Sequence, residues 1–214
     1  MAAGPVIEYY FSFISLWSYI GSRRLLALRE QYNAQIIYKP IDLMHLFSVS
    51  GGLPVKQRSR QRQAYRFLEM ERWRRTRDIP IVPEPKYYPA NPSLAHRVLL
   101  AAIEESGHDE VHEFVRRSLE TVWANEGDIA NEETILELAI ASGLQGRELL
   151  ERAKAEKELA VKEEALTKEV VAKEYFGAPM YVFKGEPFWG QDRLEMLDEV
   201  ISSGREPIEY VPVR

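Results

Sequence analysis

The 214-residue chain contains no cysteine, so it can build neither a structural disulfide nor a protein thiol redox centre. Any sulfur chemistry it performs must use a bound thiol. Long apolar runs are also missing, and no stretch approaches the roughly 18 consecutive apolar residues that cross a bilayer. The stretch Met1-Ala2-Ala3-Gly4-Pro5 has neither the basic patch nor the apolar run of a signal peptide, so a cytoplasmic location and no membrane partner are expected. With 45% hydrophobic residues, the chain is long enough to bury a substantial core.

The formal net charge of -5 conceals a local asymmetry. Between Lys56 and Arg77 there are nine basic residues against two acidic ones, Glu69 and Glu71. Such a cluster can bind nucleic acid, line a site for a small anion, or form a solvated helix face. The acidic whole and the lack of a glycine-rich loop or nucleic-acid motif rank nucleic acid last. His108 and His112 have helical ligand spacing, but without a third ligand they read as surface residues and no metal is expected.

Pro5 to Phe13, rich in β-branched and aromatic residues, predicts a buried strand, followed by a helix from about Ser15 to Tyr32 and a second strand over Gln35 to Pro40. Compatible third and fourth strands come only near the C-terminus, Met180 to Phe183 and Pro187 to Trp189 across a Lys184-Gly185-Glu186 turn, before a closing helix from Gln191 to about Ser203. The intervening chain is helical in composition. It starts with the basic segment, where Arg58, Arg62 and Arg66 recur at four-residue spacing. Five prolines between Ile79 and Pro92 require an extended connector. Helices are expected from Ser93 to Gly107, His108 to Asn125 and Asn131 to Ser142, and a broken one from Gln145 to Tyr175. This order predicts an α/β protein: a thioredoxin-like domain, residues 1–50 and 170–214, interrupted by an all-helical insertion domain, residues 51–169.

Three segments carry the candidate chemistry. Phe13-Ile14-Ser15-Leu16-Trp17-Ser18 opens the first helix with a Ser-x-x-Ser pair where a redox protein of this layout would have cysteines. Gly177-Ala178-Pro179 leads straight into the third strand, and a cis Ala178-Pro179 bond there would turn the Ala178 backbone outward to pair with an extended peptide. In Gly190-Gln191-Asp192-Arg193 a strand gives way to a helix, whose free N–H groups suit a carboxylate while Asp192 suits an ammonium group. Taken singly, Ser15 reads as a helix N-cap and Asp192 as a residue favoured by the helix dipole.

Together with Ser50-Gly51 and Ile79-Pro80-Ile81, these segments resemble the kappa-class glutathione transferases and the similar 2-hydroxychromene-2-carboxylate isomerases of the wider DsbA-like family, over nearly the whole chain. The resemblance implies a DsbA-like, kappa-transferase architecture, glutathione as cofactor, and Ser15 as the catalytic serine that hydrogen-bonds the glutathione sulfur. It also implies that the Ala178 and Pro179 turn pairs with the peptide backbone, and that Gln191 and Asp192 hold the γ-glutamyl group. Arg62 would face a carboxylate. Read from the residues themselves, Trp17 and Tyr65 can stack on a small aromatic carboxylate substrate or serve equally as core or interface residues. Relatives with this layout imply a homodimer.

The chain departs from the family pattern at Ser12, Leu16 and Gly52, where Asp, Pro and a ligand-contacting Asn are common. The preferred expectation is a glutathione-dependent isomerase converting 2-hydroxychromene-2-carboxylate to trans-o-hydroxybenzylidenepyruvate in aromatic compound breakdown. A kappa-type transferase or a non-catalytic binding protein on the same fold are the alternatives.

Overall fold

A computed structural model describes residues 4–211; Met1 to Ala3, part of the N-terminal stretch read above, lie outside the described residues. Strand β1 (Val6–Phe11) leads into helix α1 (Leu16–Tyr32) and strand β2 (Gln35–Pro40), which pairs parallel to β1. Strands β3 (Met180–Phe183) and β4 (Glu186–Trp189) complete a sheet of order β2-β1-β3-β4, with β3 antiparallel to both β1 and β4. The βαβ unit and the C-terminal hairpin thus meet along β1, as a thioredoxin-like order requires. Lys184 and Gly185 form the hairpin turn at φ 49° and 87°, the second well suited to glycine.

Side-chain alternation along the strands divides the core between the two faces of the sheet. On one face Ile7, Tyr9 and Phe11 pack with Leu25 and Leu28 of α1 and with Leu194, Leu197 and Val200 of the closing helix α9 (Leu194–Ser203). Tyr9 stacks on Tyr181 across β1 and β3, with centroids 5.1 Å apart and planes 8° from parallel. On the other face Tyr10, Met180 and Val182 pack against Leu43 and Leu46 of α2 (Leu43–Ser50) and Val170 of α8 (Lys157–Ala172).

Helices α3 (Arg60–Arg77), α4 (Ser93–Ser106), α5 (His112–Trp123), α6 (Glu132–Ala141) and α7 (Gly146–Ala155) fill the insertion. The apolar core passes without interruption from the sheet into these helices through Phe11, Phe13 and Phe114, whose rings meet edge to face. The expected division of the chain falls at the end of α2 and inside α8. Among the described residues, no helix is long and apolar enough to cross a membrane.

Helix α2, between β2 and the basic segment, is an element that the sequence reading above does not include. Its signal is Asp42, whose side chain accepts hydrogen bonds from the Met44 and His45 amides at 2.9 and 3.0 Å, while Gly51 ends the helix at φ 78°. The expected break in the long C-terminal helix falls at Glu156, between α7 and α8. His108 and His112 are not free surface residues. They are half-buried against β2: the Tyr38 amide donates to His108 Nδ1 at 3.1 Å, and the Tyr38 hydroxyl pairs with His112 Nδ1 at 2.7 Å. Burial lowers the pKa of both.

On the α8 face, Lys39 reaches Glu8 at 2.7 Å and Glu169 at 2.8 Å, and Lys173 reaches Glu169 at 3.0 Å. Burial alone would raise the Glu169 carboxyl, but hydrogen bonds from Lys39, Tyr10 and Lys173 outweigh it and hold the group down to about 2. A depressed carboxylate stabilises the fold above its ordinary value of 4.5, and that stabilisation is lost as pH falls toward about 2. Wild type should therefore be more stable than Glu169→Gln at neutral pH, with the difference in melting temperature shrinking as pH drops below 4.5. A difference that stayed constant with pH would contradict this assignment.

Candidate active site

The turn Ser12 to Ser15 ends β1 and starts α1. It closes with a hydrogen bond from the Ser15 amide to the Ser12 carbonyl at 2.9 Å. Ser15 is the N-cap of α1: its Oγ accepts from the Ser18 amide at 3.2 Å and donates to the Ala178 carbonyl at 3.3 Å. No acidic side chain occupies the first turn of α1, so the positive end of the helix dipole is not neutralised from within the helix. Ser15 is 4% exposed, and Ala178, which it touches, lines the adjoining cleft.

The Ala178-Pro179 peptide is cis, as the sequence led us to expect. The Pro179 carbonyl accepts from the Gly190 amide at 2.9 Å, which ties this turn to the end of β4. Gly190, at φ 98°, opens a short 3₁₀ turn, Gln191–Arg193, before α9. The first turns of α1 pack so closely on this segment that a Cβ on Gly21 would lie 2.7 Å from Tyr181 Oη and 2.9 Å from Gln191 Cβ. The close approach keeps α1 and the 190s turn in fixed relation across the cleft.

The cleft has a volume of about 630 Å³ and lies between these turns and α3. It brings together Trp17, Arg62, Tyr65, Ala178, Gln191 and Asp192, six of the eight residues singled out from the sequence. Pro179 is buried behind Ala178, and Ser15 lies beneath the surface beside it. Two of the six are already engaged: the Gln191 side chain is 2% exposed and accepts from Arg77 at 3.4 Å, and Asp192 pairs with Arg193 at 2.8 Å.

Arg58, Arg66, Trp73 and Trp189 also line the cleft, although only the arginine spacing drew attention to any of them. Among the described residues, none of Arg58, Arg62 and Arg66 forms an ion pair, in contrast to Arg72, Arg74 and Arg75 on the same basic segment, which pair with Glu69 or Glu71. Arg66 is 8% exposed, lies over the Trp123 ring at 5.5 Å, and gives one hydrogen bond to Met70 Sδ. Burial pulls its pKa down, as it does for Arg58. A desolvated guanidinium without a carboxylate is costly, and an anion entering the cleft would offset that cost.

Gly52, where related sequences often carry asparagine, has a packing reason. A Cβ there would lie 2.4 Å from the Phe47 ring, which also stacks under Arg58 at 5.9 Å. The aromatic ring occupies the space a longer side chain at position 52 would need.

A model of the DSBA-like thioredoxin domain matches residues 6–202. The chain is 24% identical over 197 residues to the 2-hydroxychromene-2-carboxylate isomerase of Pseudomonas putida, covering 92% of this chain and 94% of that protein. It is 26% identical over 211 residues to glutathione S-transferase kappa 1 of Caenorhabditis elegans, covering 92% and 91%. Among solved structures, a 2-hydroxychromene-2-carboxylate isomerase superposes with a TM-score of 0.78 at 22% identity, over 92% of this chain and 95% of that one. The cytosolic disulfide reductase DsbM of Pseudomonas aeruginosa, solved with GSH, superposes with a TM-score of 0.65 at 15% identity, over 92% and 96%. These likenesses agree with the sheet order and the helical insertion.

Proposed function

We propose that this chain, which belongs to the DSBA-like thioredoxin-domain family, is a glutathione-dependent isomerase of the 2-hydroxychromene-2-carboxylate type, with Ser15 stabilising the cofactor as its thiolate. The observation that carries the reading is the set of guanidinium groups that form no ion pair among the described residues, Arg58, Arg62 and Arg66, facing the α1 N-terminus across one cleft. Glutathione has two carboxylates and a thiol, and a donor set of this kind suits it.

When bound, glutathione supplies a thiolate that adds reversibly to a conjugated double bond, so that the bond can rotate before elimination restores it. The protein's part is to favour that ionised sulfur. The Ser15 hydroxyl, now donating to the Ala178 carbonyl, swings on its Cα–Cβ bond to donate to the sulfur instead, and the Ala178 carbonyl then becomes free for a peptide N–H. The unneutralised end of α1 adds to the same effect. Arg62 and Arg66 take carboxylates of the cofactor and of the substrate, and Trp17, Tyr65 and Trp189 offer faces for an aromatic ring. Holding thiolate and substrate side by side in a partly desolvated cleft converts an encounter in solution into an addition within one complex.

Saturating glutathione, at about a hundred times its dissociation constant, should stabilise the folded state by roughly 2.7 kcal/mol and raise the melting temperature. Failure to raise it would remove the cofactor from the account. A kappa-type transferase would use the same Ser15, and the 26% identity to a named kappa transferase keeps that reading in view. Product formed with no net loss of glutathione supports isomerisation, and loss in proportion to product supports transfer.

A further inference from the structure

Against the Ser12 to Ser15 turn lies a line of polar groups with no role in the reading above. His96 of α4 is fully buried, and both its ring nitrogens are engaged. Nε2 accepts from the Phe13 amide at 3.4 Å and lies 3.3 Å from Ser12 Oγ, while Nδ1 lies 2.8 Å from Glu163 Oε1 of α8. The other carboxylate oxygen of Glu163 accepts from Ser93 Oγ at 2.6 Å. A backbone N–H pointing at Nε2 fixes that atom as the acceptor, so Nδ1 carries the proton and donates it to Glu163. Burial alone would raise the Glu163 carboxyl, but the His96 and Ser93 bonds outweigh it and hold the group below its usual range.

Hydroxyl, imidazole and carboxylate follow one another here in the order of a hydrolytic triad. Ser12 is fully buried, however, so no acyl substrate reaches its Oγ. What the line does reach is the turn carrying Ser15, whose amide bonds back to the Ser12 carbonyl. Burying a hydroxyl, an imidazole and a carboxylate in an apolar core is costly unless each is satisfied, and three elements supply the partners: the turn, α4 and α8.

We propose that His96, oriented by Glu163, is a positioning residue that fixes the Ser12 to Ser15 turn and thereby aims the Ser15 hydroxyl at a bound sulfur. The inference rests on the Ser15 reading above and deepens it. It makes the tilt of the Ser15 hydroxyl a property of α4 and α8, not of α1 alone.

The test compares wild type, His96→Gln and His96→Leu, with Ser12→Ala as a variant that changes little volume. Two quantities are read: amide hydrogen exchange at Phe13 and Ser15 in the free protein, and the thiol pKa of bound glutathione from its thiolate absorbance. Glutamine can still offer an acceptor to the turn and a donor to Glu163, so it should stay close to wild type. Leucine can offer neither. It should speed exchange at the turn by about tenfold and raise the bound thiol pKa by about one unit, with the glutathione dissociation constant changed less than about threefold. Ser12→Ala should move both quantities in the same direction by less, and it decides the matter if His96→Leu does not fold. Exchange and thiol pKa unmoved in every folded variant, or glutamine and leucine behaving alike, would overturn the proposal. If wild-type protein binds no glutathione, the proposed function fails by itself, and the exchange comparison still decides whether His96 holds the turn.

Discussion

Replacing Ser15 with alanine is expected to lower kcat/KM of the glutathione-dependent reaction by between about tenfold and about a hundredfold. The estimate follows from one hydrogen bond to a charged acceptor, worth about 1.5 to 3 kcal/mol in a partly desolvated site. Ser15 is also the cap of α1, accepting from the Ser18 amide, so the variant should lose about 1 kcal/mol of stability as well. The two effects separate experimentally. Rates measured well below the melting temperature report the thiolate contact, and denaturant unfolding reports the cap. Ser15→Thr keeps a capping hydroxyl, and recovery of stability without full recovery of rate would locate the catalytic effect in the aim of the hydroxyl. Full activity in Ser15→Ala would remove Ser15 from the chemistry.

The second large effect is structural. Trp123 is fully buried at the end of α5, with Tyr88 against one side at a centroid distance of 4.8 Å and the Arg66 guanidinium over its ring at 5.5 Å. Trp123→Ala should cost about 3 to 5 kcal/mol by loss of buried apolar surface and by the cavity left behind. It also removes the shelf on which Arg66 rests, so anion affinity in the cleft should fall with stability. Urea unfolding followed by circular dichroism measures the first, and glutathione titration of the folded protein measures the second. A loss below about 1 kcal/mol would mean that the α3 side of the cleft does not lean on this ring.

Most of the architecture was legible because each element announced itself locally. Two β-branched, aromatic strands bracket α1, and Gln35–Pro40 and Met180–Phe183 occur at the expected bounds. The expected cis bond at Ala178-Pro179 is also present. Helix α2 escaped because it is only eight residues long and follows directly on β2. Its one strong mark, Asp42 as a cap, is a single residue.

The site was legible in its parts and not in its assembly. Arg58, Arg62 and Arg66 could be seen to recur, but a spacing cannot tell which guanidinium is buried. Only the fold shows that Arg66 is covered while Arg58 is half-buried and Arg62 is exposed at the cleft. His96 carried no signal at all, since its partners Ser12 and Glu163 lie 84 and 67 residues away. His108 and His112 misled for the opposite reason, because their four-residue spacing serves Tyr38.

The central claim is that this cleft holds glutathione as a thiolate through Ser15. It is tested most directly by a pH titration of thiolate absorbance for glutathione bound to wild type and to Ser15→Ala. The account predicts saturable binding to both, with a thiol pKa in wild type well below the ordinary value of about 8.5 and a return toward that value in the variant. Binding with an ordinary thiol pKa in wild type, or no binding, would contradict it.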